Sequence, residues 1–349
     1  MRIISAGSAL PEHAYGQEAV TGALKSIWQS ELSNPETLDR LHARCGVEQR
    51  YFTLPLETYP TLKTWGQSND VWIKTAQELG ETAIRSAITP AGIDPKEIAA
   101  IFFVSITGIC SPSIDAKLVN RMKLSRNIKR IPIFGLGCVA GAAGLSRAAD
   151  YVRAFPDQIA VVLSVELCSL TWQNGDLSMA NLISTGLFGD GAAAVIVAGK
   201  ETRFKGPEIL ATKSTFYSNT EDTMGWAVSE NGFRIVLSPD VPLVIKENLR
   251  KDADSFLQEF GLTRKDISSW IIHTGGPKVL EAIADALELP EKSLEASWEC
   301  LRRVGNLSSA SVLMVLEDVL QNRRGAPGTY SVLAAMGPGF CSELLLIRW

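Results

Sequence analysis

The sequence predicts an α/β protein built from two duplicated halves, each a mixed, largely buried sheet covered by helices. Three observations carry that prediction. β-rich apolar runs alternate with helical stretches of roughly ten to fifteen residues along the chain. At 349 residues the chain exceeds the size at which one hydrophobic core stops growing, so two domains or two tightly fused halves are expected. The chain also echoes itself. "GIDPKEIAAIFFVS" (92–105) returns 169 positions later as "GLTRKDISSWIIHT" (261–274), and "GCVAGAAGLSRAADYV" (137–152) returns 168 positions later as "GNLSSASVLMVLEDVL" (305–320). A weaker third echo pairs "IAVVLSVE" (159–166) with "TYSVLAAMG" (329–337).

In chain order, "MRIISAGSALPEH" reads as a strand and turn, with no extended apolar region of the kind a signal peptide carries. "GIDPKEIAAIFFVS" reads as a turn feeding a buried strand, and "IPIFGLGCVAGAAGLSRAADYV" (131–152) as a strand, a tight turn and a helix. "GLFGDGAAAVIVAG" (186–199) reads as a turn at Gly189, Asp190 and Gly191 entering a strand, and lacks the Lys-Ser/Thr of a phosphate loop. The polar stretch 197–209 is the expected junction, dividing the chain into residues 1–203 and 204–349. The second half repeats the order and ends in "LAAMGPGFCSELLLIRW" (333–349), a Gly-Pro-Gly turn before the last strand.

Composition narrows the function. A formal charge of -4, with scattered basic residues, gives no footprint for nucleic acid or an anionic membrane. Neither partner is expected, and no segment approaches a membrane span. The cytoplasm is the expected location. Six cysteines, with no CxxC pair, suggest neither a zinc site nor a disulfide framework.

The repeat gives Cys138 and Asn306 equivalent strand-to-helix positions, while His273 ends the strand before Gly275 and Gly276. Ligands in open α/β sheets collect at carboxyl ends of strands, so the three side chains are expected to converge. A cysteine opening a helix faces free backbone N–H groups and the positive end of the helix dipole, which favours the thiolate. A nearby imidazole favours it further and can donate to an oxyanion. An asparagine supplies hydrogen-bond donors without adding charge, as an enolate or oxyanion requires. Taken singly, Cys138 also fits a packing seam, His273 a structural histidine, and Asn306 a helix N-cap. Together they imply acyl-thioester chemistry.

"GCVAG", "LFGDGAAA", "HTGGPKVL", "GNLSSASVL" and "MGPG", in this order, resemble the type III polyketide synthases, the chalcone-synthase-like members of the thiolase fold. The resemblance implies a five-layered αβαβα protomer, usually homodimeric, that condenses a starter acyl-CoA with malonyl-CoA and needs no cofactor or metal. It implies Cys138 as the nucleophile, with His273 and Asn306 promoting malonyl decarboxylation and holding the enolate. Phe188 and Phe233 resemble the two gatekeeper aromatics. Thr107, Thr171, Met224 and Ser308 are similar in position to residues that sort starters and set chain length. Arg44, Arg50 and Lys278, with Gly275 and Gly276, are the expected CoA-binding residues at the tunnel mouth. The family's proline after the histidine is Thr274 here, and its Gly-Phe before Gly-Pro-Gly is Ala335-Met336. The expected starter is a medium or long fatty acyl group, giving alkylpyrones or alkylresorcinols. A ketoacyl synthase III-like enzyme using an acyl carrier protein is the alternative within the fold. A non-catalytic acyl-CoA-binding scaffold is the alternative outside it.

Overall fold

The computed structural model describes residues 1–32 and 34–349. The first half comprises β1 (Arg2–Ala9), β2 (His13–Gly16), α1 (Gln17–Ile27), α2 (Pro35–Ala43), β3 (Gln49–Phe52), α3 (Trp65–Ile88), β4 (Ile98–Val104), α4 (Ile114–Arg121), β5 (Lys129–Ile133), α5 (Ala140–Ala154), β6 (Ile159–Leu167), α6 (Met179–Leu187) and β7 (Asp190–Ala198). The second comprises β8 (Glu208–Phe216), β9 (Met224–Ser229), β10 (Gly232–Leu237), α7 (Val241–Gln258), β11 (Ile267–Ile272), α8 (Pro277–Leu287), α9 (Glu295–Val304), α10 (Ser309–Asn322), β12 (Tyr330–Gly337) and β13 (Cys341–Arg348).

Nine strands form one mixed sheet in the order β11-β12-β13-β8-β1-β7-β6-β4-β5. The two halves meet at β1 and β8, where Arg2 pairs with Glu208. Counting outward from that seam, β7, β6 and β4 correspond to β13, β12 and β11. All three sequence echoes fall on corresponding elements: β4 with β11, α5 with α10, and β6 with β12. The first echo even repeats its turn chemistry. Asp94 and Glu97 form a capping box before β4, and Thr263 and Asp266 form one before β11.

The layers follow from three apolar clusters. One packs α3 against the outer face of the first half-sheet, through residues such as Ala83, Ile84, Leu163 and Ile196. A second lies between the half-sheets and includes Leu145 of α5 and Leu313 of α10. The third packs α7 and α8 on the outer face of the second half-sheet, through Ile245, Leu249 and Ile283. The result is the αβαβα order. The central helices approach closely because Gly141 has no side chain: a Cβ there would lie 2.2 Å from the Ser309 carbonyl oxygen.

The segment read as a turn at Gly189, Asp190 and Gly191 is instead a direct passage from α6 into β7, which already contains Asp190 and Gly191. Buried Asp190 accepts hydrogen bonds from the backbone and hydroxyls of Thr53 and Ser169, which hold the passage extended. Among the described residues, no helix is long and apolar enough to cross a membrane.

Candidate active site

Cys138 sits in a single 3₁₀ turn, Gly137–Val139, between β5 and α5. Gly137 makes that turn possible, since its φ is +52° and a Cβ there would lie 2.8 Å from the Pro338 ring. Cys138 is buried, and its Sγ lies 3.8 Å from Ser308 Oγ, donating a weak hydrogen bond to it. Ser308 is the N-cap of α10 and takes φ +47°, a left-handed conformation costly for a residue with a side chain. The local strain thus sits beside the thiol.

His273 follows the last residue of β11, anchored by its N–H to the Ala334 carbonyl at 3.0 Å. Its ring is buried, and neither ring nitrogen has a protein partner among the described residues. Asn306 is fixed from three sides: its N–H donates to Leu187 O at 2.9 Å, its carbonyl accepts from Gly189 N at 3.0 Å, and its Oδ1 accepts from Ser308 N at 2.8 Å. With Oδ1 engaged, the Nδ2 donors remain for a ligand.

Cys138, His273 and Asn306 line one cavity of about 40 Å³ with Phe188, Met224 and Gly275. The expected convergence of the three is therefore observed. Apolar side chains from α7 and α8, including Ile245, Leu249 and Ile283, also line it, as do Ala335 and Met336.

Burial decides the protonation states. It pushes the Cys138 thiol up to about 12, with the nearby Glu166 charge adding to the effect and the Ser308 hydrogen bond opposing it. The expected low-pKa thiolate is thus not the resting form. Although α5 begins two residues on, at Ala140, burial outweighs its end, and His273 is itself held neutral, lowered by burial to about 4. Burial thus favours a neutral thiol at Cys138 and a neutral imidazole at His273.

Several predicted residues lie elsewhere. Arg50 is completely buried; its Nη1 donates to the carbonyls of Thr185 and Phe188, at 2.6 and 2.9 Å, and its guanidinium faces the Phe52 ring. It therefore cannot meet a CoA phosphate, and instead braces the backbone under Phe188. Arg44, at the end of α2, and Lys278, in the first turn of α8, are exposed. Gly276, with φ +118°, is the N-cap of α8. Phe233 and Thr171 line a different, polar cleft and not the catalytic cavity. Phe233 does share a strand face with Leu237, which lines the catalytic cavity, but four residues of strand set it about 13 Å further along. Thr107 is buried and donates to Glu166.

Glu166 itself escaped the sequence reading. This buried carboxylate, at the end of β6, accepts from Ser309 Oγ, Ser105 Oγ, Thr107 Oγ1 and the Ile106 N–H. Burial raises it to about 7 against those bonds. Its one signal was a lone acidic residue in the apolar run "VVLSVEL".

Comparison with known proteins places this geometry. Residues 1–201 match the chalcone and stilbene synthases, N-terminal domain, and residues 208–349 match the C-terminal domain of the same family. A 1,3,6,8-tetrahydroxynaphthalene synthase of Streptomyces peucetius is 47% identical over 98% of this chain and 91% of its own length. A 3,5-dihydroxyphenylacetyl-CoA synthase of Streptomyces toyocaensis is 31% identical, over 100% of this chain and 90% of its own. The crystal structure of 1,3,6,8-tetrahydroxynaphthalene synthase from Streptomyces coelicolor A3(2), a bacterial type III polyketide synthase, superposes with a TM-score of 0.94 at 30% identity, covering 100% of this chain and 99% of that one.

Proposed function

The chain belongs to the chalcone and stilbene synthase family and is a type III polyketide synthase; from that premise we propose that it builds a polyhydroxylated aromatic from malonyl-CoA on Cys138. The observation that carries this reading is the single cavity shared by Cys138, His273, Asn306 and Phe188. The relatives, a 1,3,6,8-tetrahydroxynaphthalene synthase and a 3,5-dihydroxyphenylacetyl-CoA synthase, support a product of this class, and in this reading the starter is malonyl or a group derived from it.

In the first step the neutral His273 imidazole takes the Cys138 proton as sulfur attacks the starter thioester. The tetrahedral adduct then expels the CoA thiolate, which takes that proton, leaving an acyl-cysteine. Malonyl-CoA next places its thioester oxygen against His273 and the Asn306 amide. The bond to the carboxylate breaks, CO₂ departs, and its electron pair forms an enolate held by those donors. The enolate carbon attacks the acyl-cysteine, carbon–carbon bond formation expels the Cys138 thiolate, and the lengthened chain remains on CoA. Because His273 and Asn306 add no negative charge beside the enolate, they stabilise it where a carboxylate would not. Phe188 screens the acyl-cysteine from water.

In this proposal exposed Arg44 and Lys278 meet the CoA phosphates. The reaction asks for no metal or further cofactor, and the working form is a cytoplasmic homodimer. The apolar wall of Ile245, Leu249 and Ile283 favours a second reading, in which a medium or long fatty acyl starter lies along α7 and α8. Incubation with malonyl-CoA alone, and with acyl-CoA starters from acetyl to long-chain, separates the two. The first reading expects an aromatic product from malonyl-CoA alone. Products formed only when a long-chain starter is supplied would replace it with the second.

A further inference from the structure

The second half departs from the repeat in one place. In the first half, β5 covers the outer side of β4 and then runs into the Cys138 turn. In the second half β11, the counterpart of β4, is the last strand of the sheet. Among the described residues no strand covers its outer side; the helix α9 packs there instead, and it runs into Asn306.

An edge strand leaves backbone groups without ladder partners, and a buried edge needs another source of hydrogen bonds. At the end of β11 that source is Ser297. Its fully buried Oγ donates to the Ile272 carbonyl at 2.7 Å. A helical serine ordinarily bonds back onto its own helix or faces water. Ser297 instead crosses to another element, from a face of α9 that it shares with buried Leu301 and Val304.

The Ile272 carbonyl and the His273 N–H belong to one planar peptide unit. Ser297 holds the carbonyl, and the Ala334 carbonyl holds the N–H at 3.0 Å, so the plane is pinned from opposite sides. That plane sets the direction in which the His273 side chain leaves the backbone. No protein hydrogen bond aims the ring itself, since neither ring nitrogen has a partner among the described residues. The other end of α9 is fixed as well. The Gly305 N–H closes the helix on the Leu301 carbonyl at 2.9 Å, and Asn306 follows, tied to Leu187 and Gly189. One rigid helix, spanning roughly 10 Å from Ser297 to Val304, therefore joins the residue that holds His273 to the end that carries Asn306.

We propose that Ser297 is a positioning residue for decarboxylation: through α9 it sets the His273 imidazole against the Asn306 amide, while lying outside the cavity that the substrate enters. The roles of His273 and Asn306 rest on the reaction proposed above. An enolate oxygen needs both donors at once, and a misplacement of about 1 Å is enough to lose much of the rate.

The test is a double-mutant cycle on the full chain, read as CO₂ released from radiolabelled malonyl-CoA. Ser297→Ala should lower kcat roughly tenfold, with KM changed by less than about twofold. Ser297→Cys keeps the shape with a weaker donor, and takes its place should Ser297→Ala fail to fold. In a His273→Gln background the same substitution should cost no further activity, because Ser297 acts through His273. An unaltered kcat in the folded Ser297 variant, or the same loss in both backgrounds, would overturn the proposal. His273→Gln measured alone separates the two readings. If it releases CO₂ at the unaltered rate, the reaction falls and the proposal with it; if it is slowed while the Ser297 variant is not, the positioning role alone falls.

Discussion

Ser308 Oγ stands 3.8 Å from Cys138 Sγ, joining the two copies of the repeated strand-to-helix turn across the middle of the molecule. The hydroxyl lowers the thiol's pKa against the burial that raises it. Ser308→Ala removes the opposing effect, so alkylation of Cys138 by iodoacetamide at neutral pH should slow several-fold. An unchanged or faster rate would show that Ser308 does not act on the sulfur.

Arg50 and Lys278 should separate cleanly. Arg50→Ala leaves the Thr185 and Phe188 carbonyls without their donor inside the protein, a loss of about 2–4 kcal/mol in denaturant unfolding, with kcat falling as Phe188 and Asn306 shift. Lys278→Ala is exposed, and its expected effect is a higher KM for malonyl-CoA with stability unchanged. A pure KM effect in Arg50→Ala would return that residue to the CoA site.

Gly141→Ala would normally favour a helix, but here its Cβ meets the Ser309 carbonyl at 2.2 Å. Overpacking of this crossing should cost about 1–3 kcal/mol, outweighing the helix propensity gained. A variant with a higher melting temperature would contradict the close α5–α10 crossing.

Acid should destabilise the fold in a defined window. His42 and His273 are both buried and lowered to about 4, whereas each titrates near 6.5 when unfolded. At these two sites the unfolded chain binds protons that the folded one refuses, so their contribution to stability falls as pH drops from about 6.5 towards 4. Glu166, raised by burial to about 7, contributes with the opposite sign over the same range and offsets part of the fall. His42→Gln should flatten part of that slope in denaturant titrations run across the window. An unchanged slope would mean that His42 is not held neutral.

The architecture was legible because duplication writes the same physics twice. The capping boxes at Asp94 and Thr263 and the two strand-to-helix turns stand at matching intervals, so Cys138, His273 and Asn306 could be brought together without coordinates. What escaped is set by tertiary context. A strand pattern gives the face of Phe233 but not which end of the hairpin meets the cavity. Arg50 reads as a CoA-binding residue at the tunnel mouth, and Glu166 as a lone charge in an apolar run, because local sequence does not reveal that backbone carbonyls or hydroxyls will enclose them. The thiol's protonation was misjudged for the same reason, since the helix dipole is a local signal and burial is not.

The most direct measurement is the fate of radiolabelled malonyl-CoA on Cys138→Ala. Without sulfur there is no acyl-cysteine to condense with, yet His273 and Asn306 still face the cavity. The account predicts release of CO₂ and accumulation of acetyl-CoA, with polyketide formation abolished. Polyketide formed by this variant at the unaltered rate, or loss of decarboxylation together with condensation in a correctly folded protein, would contradict it.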